Sequence, residues 1–286
     1  MKVRLLILIA MVMAVAGAKA RTTSDASFHC AEDTLRINQI LKSLDRTAPL
    51  GDRICAAAMQ LADAGEDNFF STDSVGALRI NVDSFTPLSF VNNAVALAKA
   101  AGREGADWTS FWREFKDISC RRGENGGFPS IMYHTSDWIS DNVARGNLKE
   151  ITENFPGVES RTKSLDELSR NRGKFAALSD SANYETVRLW EMGFRTHRIP
   201  TLKREAMKKK EITDELQNGD IIILVPYGDG RDWYDIGVVS MQDDGPHLIH
   251  LSPLKHKVML EPEPMARYAG LVTKYFQGYR IIRLTD

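Results

Sequence analysis

Hydrophobic residues in the first two thirds of the chain recur at helical spacing. Residues 33–44 carry such a pattern, and Asp52 is placed as the N-cap of a second helix that runs to about residue 63. Two further patterns are rich in aromatic residues, and the second stops before Pro200. The apolar positions of the four segments are Leu35, Ile37, Ile40, Leu41 and Leu44; Ile54, Ala57, Ala58 and Leu61; Trp108, Phe111, Trp112 and Phe115; and Val187, Leu189, Trp190 and Phe194.

The most apolar helical pattern begins at Thr86-Pro87. Threonine is a favourable N-cap, and proline suits the first helical position because the N–H that it lacks has no partner there. The following apolar positions cover more than half of the helix circumference, which predicts a buried helix that ends near Gly102. These positions are Leu88, Phe90, Val91, Ala94, Val95, Leu97 and Ala98.

The last third of the chain consists of short apolar runs with turn residues between them. Gly219-Asp220 is a turn signal that precedes the run at residues 221–225. Closely spaced short strands predict an antiparallel sheet, and helices placed before the strands predict an α+β fold. We expect one domain over residues 21–286. The remaining runs are residues 236–241, 248–251, 257–260 and 279–284.

The N-terminus has the pattern of a signal peptide. Lys2 and Arg4 precede an apolar stretch at residues 5–16, and Ala18-Lys19-Ala20 offers small residues for cleavage. The alternative is a membrane anchor, but the stretch is shorter than the roughly 20 residues of a spanning helix. We therefore expect cleavage after Ala20, a periplasmic or secreted protein, and no stable membrane span afterwards.

Composition and charge narrow the function classes. The 286 residues are 43% hydrophobic and 26% charged, which is typical of a globular protein. The formal net charge of -1 provides no basic surface for a polyanion, so nucleic acid is not an expected partner.

The three cysteines are Cys30, Cys55 and Cys120. In an oxidising compartment they could form one disulfide and leave one thiol, although the sequence does not identify the pair. The alternative is three small buried side chains. Neither a CxxC motif nor a His/Cys cluster occurs at zinc spacing, so we expect no metal site and no cofactor.

Three segments together resemble the N-acetylmuramoyl-L-alanine amidase-like family of NlpC-type, papain-like peptidoglycan hydrolases. Residues 86–92, Thr-Pro-Leu-Ser-Phe-Val-Asn, are similar to the family pattern Asp-Cys-x-Thr-Phe-Val-Glu. Residues 130–142 are similar to Ser-Arg-Leu-His-Tyr-x-x-Asp-Trp-Ile-x-x-Asn, with Ile131 and Tyr133 where arginine and histidine are typical. Gly219-Asp220, residues 235–238 and residues 250–252 are similar to the family's Gly-Asp, His-Val-Gly-Ile and His-Ala-Ser segments.

The resemblance implies a catalytic centre with two of its three residues replaced. Pro87 stands where the family has its cysteine nucleophile, Asp235 stands at the histidine that acts as the base, and His250 corresponds to the orienting histidine. A nucleophile at a helix N-terminus has its thiolate stabilised by the helix dipole. Proline has no nucleophilic atom, and losing the nucleophile costs several orders of magnitude in rate. We therefore expect no intact catalytic residue.

The resemblance also implies a papain-like fold, in which a helix-rich N-terminal part packs on the C-terminal sheet, and a ligand groove. The candidate binding residues are Ser89, Tyr133, Trp138 and Ser252, with ordinary core packing as the alternative for Trp138. The leading hypothesis is an exported, catalytically inactive amidase-like protein that binds peptidoglycan fragments or another cell-envelope ligand.

Two alternatives stay open. The first is an active cell-wall amidase or peptidase with a relocated nucleophile, for which Ser84, Thr86 and Ser89 flank the relevant position. Ser89 lies two residues beyond Pro87, which turns its side chain by about 200° around the helix, and this disfavours direct replacement. The second alternative is a protein-interaction scaffold that uses the fold without an envelope ligand.

Overall fold

The computed structural model of the chain describes residues 31–67, 78–121 and 127–285, together with the backbone of Ser27–Phe28. The predicted signal peptide and Cys30 lie outside the described residues. None of the helices in these ranges has the length and apolar character that crossing a membrane requires. The α-helices are α1 (Ala31–Ser43), α2 (Leu50–Gln60), α3 (Pro87–Ala101), α4 (Trp108–Ser119), α5 (Thr135–Arg145), α6 (Glu167–Arg170), α7 (Ser181–Met192), α8 (Lys210–Thr213) and α9 (Met265–Leu271).

Twelve strands are described, and ten of them belong to one sheet. Its order is β4-β2-β11-β10-β9-β8-β12-β7-β6, and β5 also pairs with β12. All pairs are antiparallel except β2 with β4. The strands are β1 (Ser27–Phe28), β2 (Gly65–Glu66), β3 (Leu78–Arg79), β4 (Ser84–Phe85), β5 (Leu148–Glu150), β6 (Val158–Lys163), β7 (His197–Lys203), β8 (Ile221–Pro226), β9 (Asp235–Gln242), β10 (Gly245–Ser252), β11 (Lys257–Leu260) and β12 (Phe276–Leu284).

The predicted α+β fold is confirmed. Helices dominate the N-terminal half, and all five strands predicted for the last third are present, as β8 to β12. The central strands are buried on both faces, and side chains that alternate across the sheet enter two different cores. Ile221 and Ile223 of β8 join the core under α1 to α4, whereas Ile222 and Leu224 join a second core with α9 on the other face.

Helix α3 is the central buried helix that its sequence predicts. Its N-cap is Thr86, Pro87 is the first helical residue, and the helix ends at the C-cap Gly102. All seven predicted apolar positions are at most 6% exposed. The helix packs against α2, α4 and the sheet, so it is held by contacts on several sides.

Several local predictions were wrong. Leu35 is 64% exposed because the buried face of α1 follows the spacing of Ile37, Ile40 and Leu41. Asp52 is not an N-cap; the N-cap of α2 is Pro49, three residues earlier, and Asp52 accepts a hydrogen bond from Asn218 Nδ2 at 2.8 Å.

The helical pattern near residue 190 also ends differently. Helix α7 stops at Met192, before Phe194, and Leu189 is 59% exposed. Pro200 lies inside β7, a strand that the sequence pattern did not predict. Strands β6 and β7 are antiparallel, and their paired residues extend from Val158 with Leu202 to Lys163 with His197. The sheet therefore extends into the part of the chain predicted to be helix and loop.

Candidate functional site

A cavity of about 570 Å³ lies between the N-terminus of α3, the C-terminus of α4 and the start of β9. It brings together segments that are far apart in the sequence and includes two of the three predicted catalytic positions, Pro87 and Asp235. Its wall is formed by Glu66, Asp67, Leu78, Arg79, Asn81, Ser84, Thr86, Pro87, Leu88, Ser89, Asn92, Asn93, Phe115, Ser119, Phe128, Ile131, Met132, Tyr133, Arg231, Trp233, Tyr234, Asp235, Leu251 and Pro253.

A capping box fixes the N-terminus of α3 at the cavity wall. The Ser89 N–H donates to Thr86 Oγ1 at 3.2 Å, and the Thr86 N–H donates to Ser89 Oγ at 2.8 Å. These bonds satisfy backbone donors that would otherwise lack partners. Pro87 presents a ring with no ionisable or nucleophilic atom at the first helical position, where the resemblance places a cysteine.

Asp235 and His250 form a buried pair. His250 Nδ1 lies 2.7 Å from Asp235 Oδ2, and the hydroxyl of Tyr268 donates to the same oxygen at 2.9 Å. Asp235 Oδ1 has no hydrogen-bond partner among the described residues. Burial raises the pKa of Tyr268 well above its ordinary value, and Asp235 adds to this effect, so Tyr268 stays a neutral donor.

A second carboxylate lies close to His250. Glu261 Oε2 is 3.5 Å from His250 Nε2. Burial alone would lower the pKa of His250, but Asp235 and Glu261 outweigh it and raise the pKa to about 9. At neutral pH the imidazole is therefore protonated, and it is held between two carboxylates. A protonated imidazole cannot accept a proton, so His250 cannot serve as a general base in this state.

The sheet register explains why the two side chains meet. His250 on β10 pairs with Gly237 on β9, two residues beyond Asp235, so both side chains lie on the same face of the sheet. A Cβ atom at Gly237 would lie 3.0 Å from the His250 Cβ. Asp235 pairs with Leu224 on β8, and paired residues lie on the same face of a sheet. Because Leu224 belongs to the second core, this is the face that carries the second core. Asp235 reaches the cavity because it is the first residue of β9.

The structure separates the predicted site residues into two groups. Pro87, Asp235, Ser89 and Tyr133 line the cavity. His250, Trp138 and Ser252 are at most 1% exposed and do not belong to its wall. Trp138 lies on α5 and packs in the main hydrophobic core, so its environment is that of the alternative, an ordinary core residue.

The described residues provide no activated nucleophile at the cavity. The hydroxyls of Thr86 and Ser89 bond to each other in the capping box, and Ser84 accepts a hydrogen bond from Asn81 at 2.9 Å. Ser119 Oγ has no hydrogen-bond partner among the described residues, so no base activates it. Cys55 and Cys120 are unpaired and lie outside the wall. Burial raises the pKa of Cys55 to about 12 and that of Cys120 to about 11, which keeps both thiols protonated.

Several residues of the cavity wall were not predicted from the sequence. Asn93, Ser119, Arg231, Trp233 and Tyr234 line the wall, but no motif groups them. Arg231 follows the turn residues Gly228-Asp229-Gly230 and belongs to none of the segments that resemble the family. Its guanidinium carbon lies 4.9 Å from the centre of the Trp233 ring. In the described ranges, no three His, Cys, Asp or Glu side chains are grouped so that they could hold a metal ion.

Comparison with known proteins supports the resemblance. The sequence model of the AmiA-like family, described as N-acetylmuramoyl-L-alanine amidase-like, matches residues 67–273. An N-acetylmuramoyl-L-alanine amidase from Bacteroides uniformis has a similar structure, with a TM-score of 0.72 and 20% identity, over 83% of this chain and 99% of that one. A Legionella pneumophila protein of the DUF1460 family is similar with a TM-score of 0.68 and 16% identity, over 89% and 95% of the two chains. No curated protein sequence matches the chain.

Proposed function

Because the chain belongs to the N-acetylmuramoyl-L-alanine amidase-like family, we propose that it is an exported, non-catalytic member that binds peptidoglycan fragments in the cavity beside Pro87. The observation that carries the proposal is the chemistry at the start of α3. A helix N-terminus faces an open cavity, as a nucleophile site requires, yet its first residue is proline. Hydrolysis by the family's chemistry has no attacking atom there.

The distribution of changed and retained motif residues supports the proposal. Five of the positions that differ from the resembling patterns line the cavity: Pro87, Asn92, Ile131, Tyr133 and Asp235. His134 also differs, but it is buried outside the cavity wall. Eight of the positions that agree are buried: Phe90, Val91, Ser130, Trp138, Ile139, Asn142, His250 and Ser252. Residues that hold the fold are therefore retained, whereas residues on the cavity wall are replaced. Such a chain keeps the pocket and lacks the groups that catalysis requires.

The surroundings of Asp235 also argue against a catalytic role. A general base must lie within hydrogen-bond reach of the group that it deprotonates. Both donors on Asp235 Oδ2, His250 and Tyr268, come from the face of the sheet opposite α3. No described serine, threonine or cysteine side chain is hydrogen-bonded to Asp235 or to His250.

Export is the second part of the proposal. Its support is the pattern of basic, apolar and small residues over residues 2–20, and peptidoglycan is met outside the cytoplasm. A periplasmic or secreted location would place the cavity where such fragments occur. Fractionation of cells that express the full chain, followed by N-terminal sequencing, tests this part; a cytoplasmic protein that retains Met1 would contradict it.

The binding test uses soluble fragments released from peptidoglycan by a muramidase, measured by calorimetry, and pelleting with intact sacculi. Pro253 lines the cavity, whereas its neighbour Leu254 is exposed and does not. We expect Pro253→Trp to weaken fragment binding and the matched control Leu254→Trp to leave it unchanged. Failure of the wild-type protein to bind fragments or sacculi would overturn the proposal and favour a protein-interaction scaffold.

A further inference from the structure

Two segments that line the cavity meet behind its wall. Met132 and Tyr133 line the cavity just before α5, and Arg231 and Trp233 line it just before β9. The rings of Tyr133 and Trp233 are in edge contact, with 6.1 Å between their centroids. The shape of the cavity on this side therefore depends on how the two segments are fixed to each other.

Asp232 connects the two segments. It is 0% exposed and does not belong to the cavity wall, although both of its neighbours do. The Thr135 N–H donates to Asp232 Oδ1 at 3.0 Å, and the Ser136 N–H donates to Asp232 Oδ2 at 2.5 Å. These N–H groups lie in the first turn of α5 and have no partner within the helix. The N-cap residue His134 makes no side-chain capping bond, so a carboxylate 97 residues after Thr135 caps the helix instead.

The charge of Asp232 is compensated inside the protein. Arg280 Nη1 lies 3.8 Å from Asp232 Oδ2 and donates to Ser136 Oγ at 2.8 Å. The same guanidinium donates to both carboxylate oxygens of Glu150, at 2.8 and 3.0 Å. Burial alone would raise the pKa of Asp232, but the nearby His134 and Arg280 outweigh it and hold the pKa below its ordinary value. Asp232 is therefore a charged acceptor, and its hydrogen bonds are stronger than those of a neutral one.

Backbone contacts fix the two ends of the same segment independently of Asp232. The Gly230 N–H donates to the Ser164 carbonyl at 2.8 Å, and the Tyr234 N–H donates to a carbonyl of β8 at 2.7 Å. Between these points, the side chain of Asp232 ties the segment to α5. Removal of the carboxylate should therefore release residues 231–233 and leave the preceding turn and the sheet in place.

We propose that Asp232 is a positioning residue of the cavity: it caps α5 and thereby holds Trp233 against Tyr133, and this placement sets the affinity for peptidoglycan fragments. The effect on affinity rests on the proposed function, whereas the placement of Trp233 can be tested without a ligand. An asparagine side chain has one acceptor oxygen, and its NH₂ group cannot accept the second N–H of α5. Asp232→Asn therefore keeps the shape of the side chain but loses the charge and one hydrogen bond.

The first measurement is ¹⁹F NMR of the ligand-free protein labelled with 5-fluorotryptophan. The chain has five tryptophans, and Trp233→Phe assigns the resonance of Trp233. We expect Asp232→Asn to shift or broaden this resonance and to leave that of Trp108, which lies outside the cavity wall, unchanged. The matched control is Asp220→Asn. Asp220 is likewise a buried carboxylate that accepts a backbone N–H, from Gln217 at 2.9 Å, and pairs with an arginine, but it is not part of the cavity wall.

A second variant removes one of the same hydrogen bonds from the helix side. Thr135 is the first residue of α5, where proline is favourable, and His134 before it has φ −79° and ψ 135°, which a following proline tolerates. Thr135→Pro thus removes the N–H that donates to Asp232 Oδ1 and keeps the start of the helix. We expect it to displace the Trp233 resonance as well. If the resonance stays at its wild-type position in both variants, or moves as far in Asp220→Asn, the inference is wrong.

The second measurement is calorimetry with soluble fragments released from peptidoglycan by a muramidase, under conditions in which urea unfolding shows each protein to be folded. Asp232→Asn should bind roughly 10-fold more weakly than the wild type, which corresponds to about 1.4 kcal/mol, and Asp220→Asn should bind equally well. A purely structural role would lower the stability of Asp232→Asn without changing the affinity of the folded protein, so wild-type affinity in this variant would overturn the inference. Absence of binding to the wild-type protein would overturn the proposed function, and the Trp233 resonance would then decide the inference alone.

Discussion

Raising the pH should lower the free energy of unfolding by a definite amount, because His250 loses its proton. The pKa of this buried histidine is about 9 in the folded protein, against an ordinary value of 6.5. Burial opposes the protonated form, but the contacts with Asp235 and Glu261 outweigh it. A group whose pKa is raised on folding stabilises the fold fully below its unfolded pKa. This contribution is therefore complete below about pH 6.5 and is lost as the pH rises through about 9.

The magnitude follows from the difference between the two pKa values. Each tenfold change in proton affinity corresponds to about 1.4 kcal/mol, so the raised pKa contributes about 3 kcal/mol at most. The side chains of His250 and Asp235 are both 0% exposed, so screening by solvent reduces this figure little. For a domain with a free energy of unfolding of about 5–15 kcal/mol, the loss is readily measured.

The assay is chemical unfolding at pH 6, 7.5 and 9.5 of the wild-type protein and of Asp235→Asn. The variant removes the main counter-charge, so the pKa of His250 should fall and the variant should be less stable at pH 6. Other titrating groups are common to both proteins and cancel in the difference. We expect the stability gap to narrow by about 3 kcal/mol between pH 6 and pH 9.5. Asp243→Asn, at an exposed position, should follow the wild type.

Two results would refute this reasoning. The first is a gap between wild type and Asp235→Asn that stays constant over the whole pH range. The second is an NMR titration that places the pKa of His250 at or below 6.5. The first would mean that Asp235 does not set the protonation of His250, and the second that the imidazole is largely neutral at pH 7 and available as a base.

Three further predictions concern the scaffold around the site. Thr86→Ala should cost about 1 kcal/mol in the free energy of unfolding by removing the cap of α3, and Thr86→Ser should restore it; no loss in Thr86→Ala would contradict the capping role. Gly237→Ala should cost about 1–3 kcal/mol, because the added Cβ approaches His250, and wild-type stability would contradict the tight packing. Cys55 and Cys120 should react with a maleimide only after unfolding, since burial raises the pKa of both thiols; rapid labelling in native protein, read by mass spectrometry, would show otherwise.

Local sequence signals predicted the parts of the fold that depend on short-range chemistry. The start of α3 was correct because Thr86-Pro87 satisfies the requirements of an N-cap and a first helical residue. The strands β8 to β12 were correct because their apolar runs are separated by turn residues. Strand β7 was missed because its residues alternate irregularly and include Pro200, which usually argues against a strand.

The cavity was predictable only in part. Pro87, Tyr133 and Asp235 were found because they stand in segments that resemble family motifs. Ser119 and Arg231 carry no local signal, since they reach the cavity from the end of α4 and from a loop before β9. Their role depends on tertiary packing, which brings together residues more than one hundred positions apart. The burial of His250 was likewise decided by the sheet register and not by its own motif.

The central claim is that the cavity binds a wall fragment and does not hydrolyse it. The most direct measurement is incubation of the purified protein with soluble peptidoglycan fragments in ¹⁸O-labelled water, followed by mass spectrometry of all fragment species. Hydrolysis of an amide bond transfers one ¹⁸O atom to the new carboxylate, so even rare turnover becomes visible. The account predicts incorporation no greater than in buffer alone. Incorporation that increases with protein concentration and disappears in His250→Gln would contradict it.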